Sequence, residues 1–268
     1  MIPLEKHPKF YSYPYTIDEA DIILIGIPYR EAHHRNTLLV RDASNWLEDN
    51  SISTPQYYSH LKICDAGDIT SDTDIKEVLA NLPKVKTPIF FGGPHVYTYH
   101  IVKALKPSTL IILDAHLDAK DEFQGEKLNS ATFVRRIAEE GIVEKIVVIG
   151  ARSYDEEEFQ YVLDSQYIYP QMDYRLPKSE IEGDTIYLSI DIDFLDTSYI
   201  TETPYPEAWG AGPNDLTNIL RELSQSKYKV VGADVMEYLP RRGLHHEAKT
   251  VARIILETAS VINYIRRK

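Results

Sequence analysis

Cysteine occurs once in the 268 residues, at Cys64, which excludes a disulfide within the chain and suits a reducing compartment. It sits in the apolar run Leu61–Cys64 and is expected in the core. Positive charge is also scarce: 29 Lys and Arg stand against 41 Asp and Glu, a net charge of −12. That balance argues against nucleic acid as a partner; it suits a small cationic substrate and, equally, a solvated acidic surface. No apolar run approaches the roughly 18 residues that a membrane span needs. The opening Met1-Ile-Pro-Leu-Glu-Lys-His-Pro8 has no signal-peptide pattern, so the expectation is a cytoplasmic protein with no membrane partner. Repeats, low-complexity tracts and linkers are absent too. Residues 1–268 are expected to form a single domain, long enough for a substantial core.

Apolar runs with strand character cover Asp21–Ile27, Leu61–Cys64, Pro88–Phe91, Thr109–Leu113, Lys145–Ile149, Thr185–Ile190 and Lys229–Ala233. Helical patterns lie between several of them, at Tyr97–Leu105, Ala131–Glu140, Asp155–Leu163, Leu216–Ser224 and Ala248–Ile265. Alternation of this kind predicts an α/β fold with a central, mainly parallel sheet covered by helices on both faces. Phe123–Ser130 and Asp196–Asn214 read as loops that frame a pocket, the second being equally a plain crossover. Tyrosine is abundant at 19, and the run Tyr11-Ser-Tyr-Pro-Tyr15 reads as packing and rim residues.

The chemistry gathers at the ends of three runs. Leu110-Ile-Ile-Leu113 leads into Asp114, His116 and Asp118, which share one face if the strand continues. Thr185–Ile190 leads into Asp191 and Asp193, with Asp196 just beyond, and Pro88-Ile-Phe-Phe91 leads into Gly92-Gly93-Pro94-His95. Carboxylates and imidazoles converging at buried strand ends repel one another and are poorly solvated unless a cation joins them. In open α/β sheets, ligands bind beyond the carboxyl ends of the strands. Four carboxylates with two imidazoles exceed what one divalent ion neutralises, and an oxygen-rich set suits manganese. The paired histidines His33-His34 and His245-His246 follow no apolar strand and are expected in solvent-facing loops.

These segments resemble the ureohydrolase family of arginases, agmatinases and formiminoglutamases. The family's Gly-Gly-Asp-His reads Gly92-Gly93-Pro94-His95 here; its Asp-Ala-His-x-Asp reads Asp114-Ala115-His116-Leu117-Asp118; its Ser-x-Asp-x-Asp-x-x-Asp reads Ser189-Ile190-Asp191-Ile192-Asp193-Phe194-Leu195-Asp196. A strand ending in Glu and then Pro appears as Gly232-Ala233-Asp234-Val235-Met236-Glu237-Tyr238-Leu239-Pro240. Gly26-Ile27-Pro28, Asp65-Ala66-Gly67-Asp68 and Gly150-Ala151-Arg152-Ser153 are softer similarities, and the whole spans about residues 22 to 260.

The resemblance implies a three-layer arginase-like fold and a binuclear Mn2+ cluster on His95, Asp114, His116, Asp118, Asp191 and Asp193. Asp114 and Asp191 would bridge, with His95 on one ion and His116 on the other. It implies hydrolysis of a guanidino compound to urea and an amine, with agmatine as the leading substrate. Arginase, formimino hydrolase and a metal-binding homologue of little activity are the alternatives. Glu237 would hold the guanidinium, although it also reads as a surface residue at a strand end. Asp118, Ser130 and Glu237 are the candidate catalytic residues; Glu237, Asp155 and Asn129 are the candidate substrate contacts. Asp155 has a second reading as a helix N-cap, with Glu158 at capping-box spacing. A homo-oligomer, trimer or hexamer, is also implied.

The chain departs from the family in three places. Pro94 replaces a supporting Asp. Ser130 aligns with the family's His that shuttles protons to the leaving amine, and a serine at its ordinary pKa is no general acid near neutrality. Thr201-Glu-Thr-Pro-Tyr-Pro206 resembles the Gly-Thr-Gly-Thr-Pro-Glu-Pro of agmatinases, but the Gly-Gly that follows is replaced by Glu207-Ala-Trp-Gly-Ala-Gly212.

Overall fold

The computed structural model describes residues 4–29, 35–50, 57–70, 73–241 and 246–268. Eight strands form one sheet: β1 (Ile22–Gly26), β2 (Ile63–Asp68), β3 (Thr87–Phe91), β4 (Thr109–Leu113), β5 (Lys145–Ile149), β6 (Ile168–Gln171), β7 (Thr185–Asp191) and β8 (Lys229–Met236). Every pairing is parallel, in the order β2-β1-β3-β8-β7-β4-β5-β6. The expected sheet is therefore wholly parallel.

Parallel sheets bury both faces, and the apolar runs divide accordingly. Ile111 and Leu113 of β4 join one core with the inner faces of α1 (Arg35–Asn50), α6 (Pro213–Ser224) and α7 (His246–Arg266). Leu110 and Ile112 join the other, beneath α2 (Ile75–Asn81), α3 (Tyr97–Leu105), α4 (Phe133–Glu139) and α5 (Glu156–Asp164). Cys64 is buried in β2 and belongs to the second core. Tyr11 and Tyr13 pack in the first, as expected of packing residues.

Three elements lack a counterpart in the sequence expectations. The buried side of α1 is mostly polar, with Asn36, Thr37, Arg41 and Ser44 beside Val40 and Ala43, so its apolar stripe is too thin to reveal it. The helix α2 is only seven residues long. The edge strand β6 carries Pro170, which an edge tolerates because one side of it needs no ladder donor. Of the paired histidines, His33, His34 and His245 lie outside the described residues, and His246 opens α7 exposed to solvent.

The polar face of α1 docks through Arg41, which is fully buried. Its Nε and Nη2 donate to the two carboxylate oxygens of Asp65 at 2.7 and 2.9 Å, and its Nη1 to Asp68 at 2.7 Å. Asp65-Ala66-Gly67-Asp68 thus serves as the acceptor of a buried cation that ties α1 to the sheet. Removing one member of such a group leaves charge uncompensated. Arg41→Ala is expected to lower the unfolding free energy by about 3–5 kcal/mol in urea titrations. A loss below about 1 kcal/mol, the scale of an exposed ion pair, would show that the group is not needed to hold α1.

Candidate metal centre and cleft

The adjacent strands β3, β8, β7 and β4 all end at the same edge, and the candidate residues emerge there. The alternation argument places them for the wrong reason, however. Strand β4 stops at Leu113, and Asp118 adopts φ +51°, so Asp114 and Asp118 converge through a turn rather than along an extended face. Asp193 likewise lies in a 3-10 turn, Ile192–Phe194, whose start is capped by Asp191 accepting from the Asp193 N–H at 2.8 Å. His95 follows the Gly92-Gly93 turn. Gly92 has φ +108°, and a Cβ on Gly93 would meet Ile27 Cγ2 at 2.3 Å, so both positions require glycine.

The structure brings all six candidate ligands together. His95 Nδ1 lies 3.0 Å from Asp114, 3.3 Å from Asp118 and 3.3 Å from Asp191. His116 Nδ1 lies 3.1 Å from Asp193 and 3.4 Å from Asp114. Two ligand groups result, His95-Asp114-Asp118 and Asp114-His116-Asp193, sharing Asp114 between them. Asp191 stands beside the first group. An octahedral divalent ion with donors at about 2.1 Å would set neighbouring donors about 3 Å apart.

A hydrogen-bond relay decides the orientation of His95. Ser189 Oγ donates to Asp234 at 2.6 Å and lies 2.8 Å from His95 Nε2. Its one proton being committed, the serine accepts from Nε2–H, which leaves the Nδ1 lone pair facing three carboxylates. Thr98 and Tyr187 also donate to Asp234, each at 2.8 Å. Both His95 Nδ1 and Asp114 Oδ2 are buried without a hydrogen bond. Lone pairs facing one another in a dry site require a cation between them, so the donor set fits divalent ions.

Titration of the ion-free centre follows the same logic. Burial disfavours imidazolium, but the surrounding carboxylates outweigh it, raising His95 well above its ordinary range and His116 to about 12. Burial and the charge of Asp114 push Asp193 up to about 6 and Asp118 well above the usual carboxyl range. Burial and the charge of Asp193 do the same to Asp191. Asp114 alone is held low: burial would raise it, and the two imidazoles more than reverse that.

Glu237 turns out of β8 with φ +65° and presents its carboxylate beside the centre. One oxygen accepts from the His95 backbone N–H at 2.6 Å and from Ser130 Oγ at 2.7 Å; the other accepts from Tyr29 Oη. Outside the ligands, a cleft of about 610 Å³ opens, walled by both expected loops. Phe123, Glu126, Asn129 and Ser130 come from the first; Thr203, Pro204, Tyr205 and Glu207 come from the second.

A family model described as the arginase family matches residues 20–260. The chain belongs to the arginase family. Its members hydrolyse amidino C–N bonds. An agmatinase of Pyrococcus horikoshii is 31% identical over 260 residues, covering 89% of this chain and 91% of the relative. An N(1)-aminopropylagmatine ureohydrolase of Thermococcus kodakarensis is 30% identical, with 89% of each chain covered. The crystal structure of an agmatine ureohydrolase of Thermoplasma volcanium superposes with a TM-score of 0.80 at 24% identity, over 98% of this chain and 97% of that one. The expected three-layer arginase-like α/β fold is thereby met.

The candidate substrate contacts fare unevenly. Asp155 caps α5, accepting from the Glu158 N–H at 2.8 Å, and its other oxygen takes Lys120 Nζ. Its carboxylate faces the cleft but is already paired. Asn129 lines the cleft too, yet its amide closes its own loop, donating to Phe123 O and accepting from the Ala131 N–H. Pro94 offers no polar side-chain atom, so the orientation of His95 rests on Ser189. The roles of Tyr29, Lys120, Asp234 and Arg152 were not legible in sequence, because each contact joins residues far apart in the chain. Among the described residues, no helix is long and apolar enough to cross a membrane.

The raised imidazoles and carboxyls give a pH dependence with one sign. Such groups hold extra protons in the folded, ion-free protein, so their stabilising effect weakens as pH rises from about 4 through about 8. The low pKa of Asp114 acts only below that window. A divalent ion takes the place of those protons. Manganese is therefore expected to raise the melting temperature more at about pH 8 than at about pH 6, whereas the chelated protein melts lower at the higher pH. An equal rise at both values, by differential scanning fluorimetry, would contradict this account.

Proposed function

We propose that the protein is a metal-dependent hydrolase of a guanidino compound, releasing urea and an amine, with agmatine as its leading substrate. One observation carries the reading: two ligand groups share Asp114, and the Glu237 carboxylate opens beside them into the same cleft. Family membership and the agmatinase relatives support the reaction class. Six oxygen and nitrogen ligands suit two manganese ions. Divalent ions in such a pair make water a nucleophile near neutral pH.

The chain's own residues do the rest. Glu237 holds the guanidinium by charge-assisted hydrogen bonds, with its carboxylate aimed by the His95 N–H and Ser130 Oγ. The substrate's nitrogens then compete with Tyr29 Oη for the second oxygen. Farther out, Glu126, Asp155, Glu158 and Glu207 face Lys120, the one Lys or Arg among the described residues lining the cleft. That balance favours an amine tail over the α-carboxylate of arginine. Ser130 bonds to Glu237 rather than standing free as a proton donor, so the leaving amine takes its proton from water in the cleft. This favours slow turnover, and a homologue of little activity is the second reading.

Urea release with added manganese separates these readings. Agmatine is expected to be hydrolysed faster than arginine; no urea from any guanidine, with both metals bound, would leave only the second reading. Glu237→Gln should keep the metal content and lose about 1.5–3 kcal/mol of transition-state binding, hence roughly ten- to a hundredfold in kcat/KM. Loss of metal in this variant would give Glu237 a different role.

Restoring a general acid is the complementary experiment. A well-placed one contributes about 10²–10⁴-fold. Ser130→His is expected to raise kcat, while KM rises modestly because the Ser130 Oγ bond to Glu237 is lost. A slower variant would mean that another group delivers the proton and that Ser130 serves Glu237 alone.

A further inference from the structure

Glu207 stands where the family motif continues into Gly-Gly, and its carboxylate faces the outer side of His116. Glu207 Oε1 accepts from Ser153 Oγ at 2.8 Å and lies 3.7 Å from His116 Nε2. The inner ring nitrogen, Nδ1, is the one turned to Asp114 and Asp193. The loop that carries Glu207 is pinned to the centre itself. Arg152 Nη2 donates at 2.8 Å both to the carbonyl of Asp193, a candidate ligand, and to that of Glu207. Its Nε donates to the Ala208 carbonyl at 3.0 Å. The fit is close: a Cβ on Gly210 would strike Arg152 Nη2 at 2.5 Å. Ser153, the next residue, fixes the Glu207 side chain while Arg152 fixes its backbone.

We propose that Glu207 is a positioning residue for His116: it accepts a hydrogen bond from Nε2–H and so fixes the tautomer and the ring orientation, with Nδ1 free to bind a divalent ion. Metal-bound histidines almost always give their other ring N–H to a carboxylate, a carbonyl or water, and that partner fixes the tautomer and raises ligand basicity. His95 has such a partner in Ser189, backed by Asp234. Glu207, backed by Ser153, does the same for His116, with the carboxylate inner and the hydroxyl outer. The Glu207 side chain, 37% exposed, stands at ion-pair distance from the ring, and a hydrogen bond requires it to move closer. The inference rests on the two-ion reading above and assigns to this chain a support that a glycine could not supply.

Calorimetric titration of Mn2+ into the ion-free protein tests it, with wild type, Glu207→Ala and Glu207→Gln compared. Wild type is expected to bind two ions. Glu207→Ala should keep one and bind the second about 10- to 100-fold more weakly. Glu207→Gln, whose amide oxygen still accepts from Nε2–H, should recover part of that loss. Wild-type affinity for both ions in both variants overturns the proposal, and a raised KM alongside it makes Glu207 a substrate contact. Fewer than two ions in wild type overturns the two-ion reading itself, and this inference with it.

Discussion

Four carboxyl groups and two imidazoles meet at the carboxyl ends of adjacent strands, where little water reaches them, and mutual repulsion governs everything around the site. Without a cation the cluster can persist only by retaining protons, which is why burial and neighbouring charge push Asp118, Asp191 and Asp193 upward. The rest of the local structure reads as a response. Backbone N–H groups of Ala115, His116 and Asp193 are aimed at these carboxylates. Asp118 and Glu237 accept left-handed backbone conformations that point their side chains inward.

The sheet makes such a gathering feasible. Strands β3, β8, β7 and β4 are neighbours although they come from opposite ends of the chain. Parallel pairing puts all their carboxyl ends on one edge, so residues as distant as His95 and Glu237 share a hydrogen bond. This much was legible in sequence. Apolar runs buried on both faces announce their strands, and polar residues just beyond such runs stand out. The reason first assigned to the convergence, continued alternation along an extended strand, does not hold. Turns after Leu113 and Asp191 deliver the side chains, and turn geometry leaves a fainter trace than periodicity.

What escaped the sequence did so for identifiable reasons. Helix α1 hides because its inner face adds a buried ion group to a thin apolar stripe, and hydrophobic periodicity cannot register Arg41. The strand β6 hides behind its proline, which only an edge position excuses. The outer supports of the centre hide because they are contacts between unlike segments: Ser189 with Asp234, Glu207 with Ser153, Tyr29 with Glu237. Each residue is unremarkable in its own stretch. Asp155 is the converse case. The family position suggests a substrate contact, but the local signal of a cap with Glu158 three residues on is what the structure displays.

The departures from the family pattern have a physical order. Every one falls outside the six candidate ligands. A lost ligand would leave the remaining buried charges uncompensated, whereas an outer support can be replaced by any group with a suitable donor or acceptor. Pro94 removes a carboxylate next to His95, and the Ser189–Asp234 pair still orients that ring. Glu207 adds a carboxylate next to His116, so outer negative charge is redistributed around the two imidazoles rather than lost. Ser130 is the departure with no such compensation in view. It puts a hydroxyl that bonds to Glu237 where the family motif has a titratable His. On the proposed reading, substrate binding and proton transfer are separable in this cleft. On that reading the substitutions weigh on the second, while the clustered carboxylates and imidazoles keep their electrostatic demand for a cation.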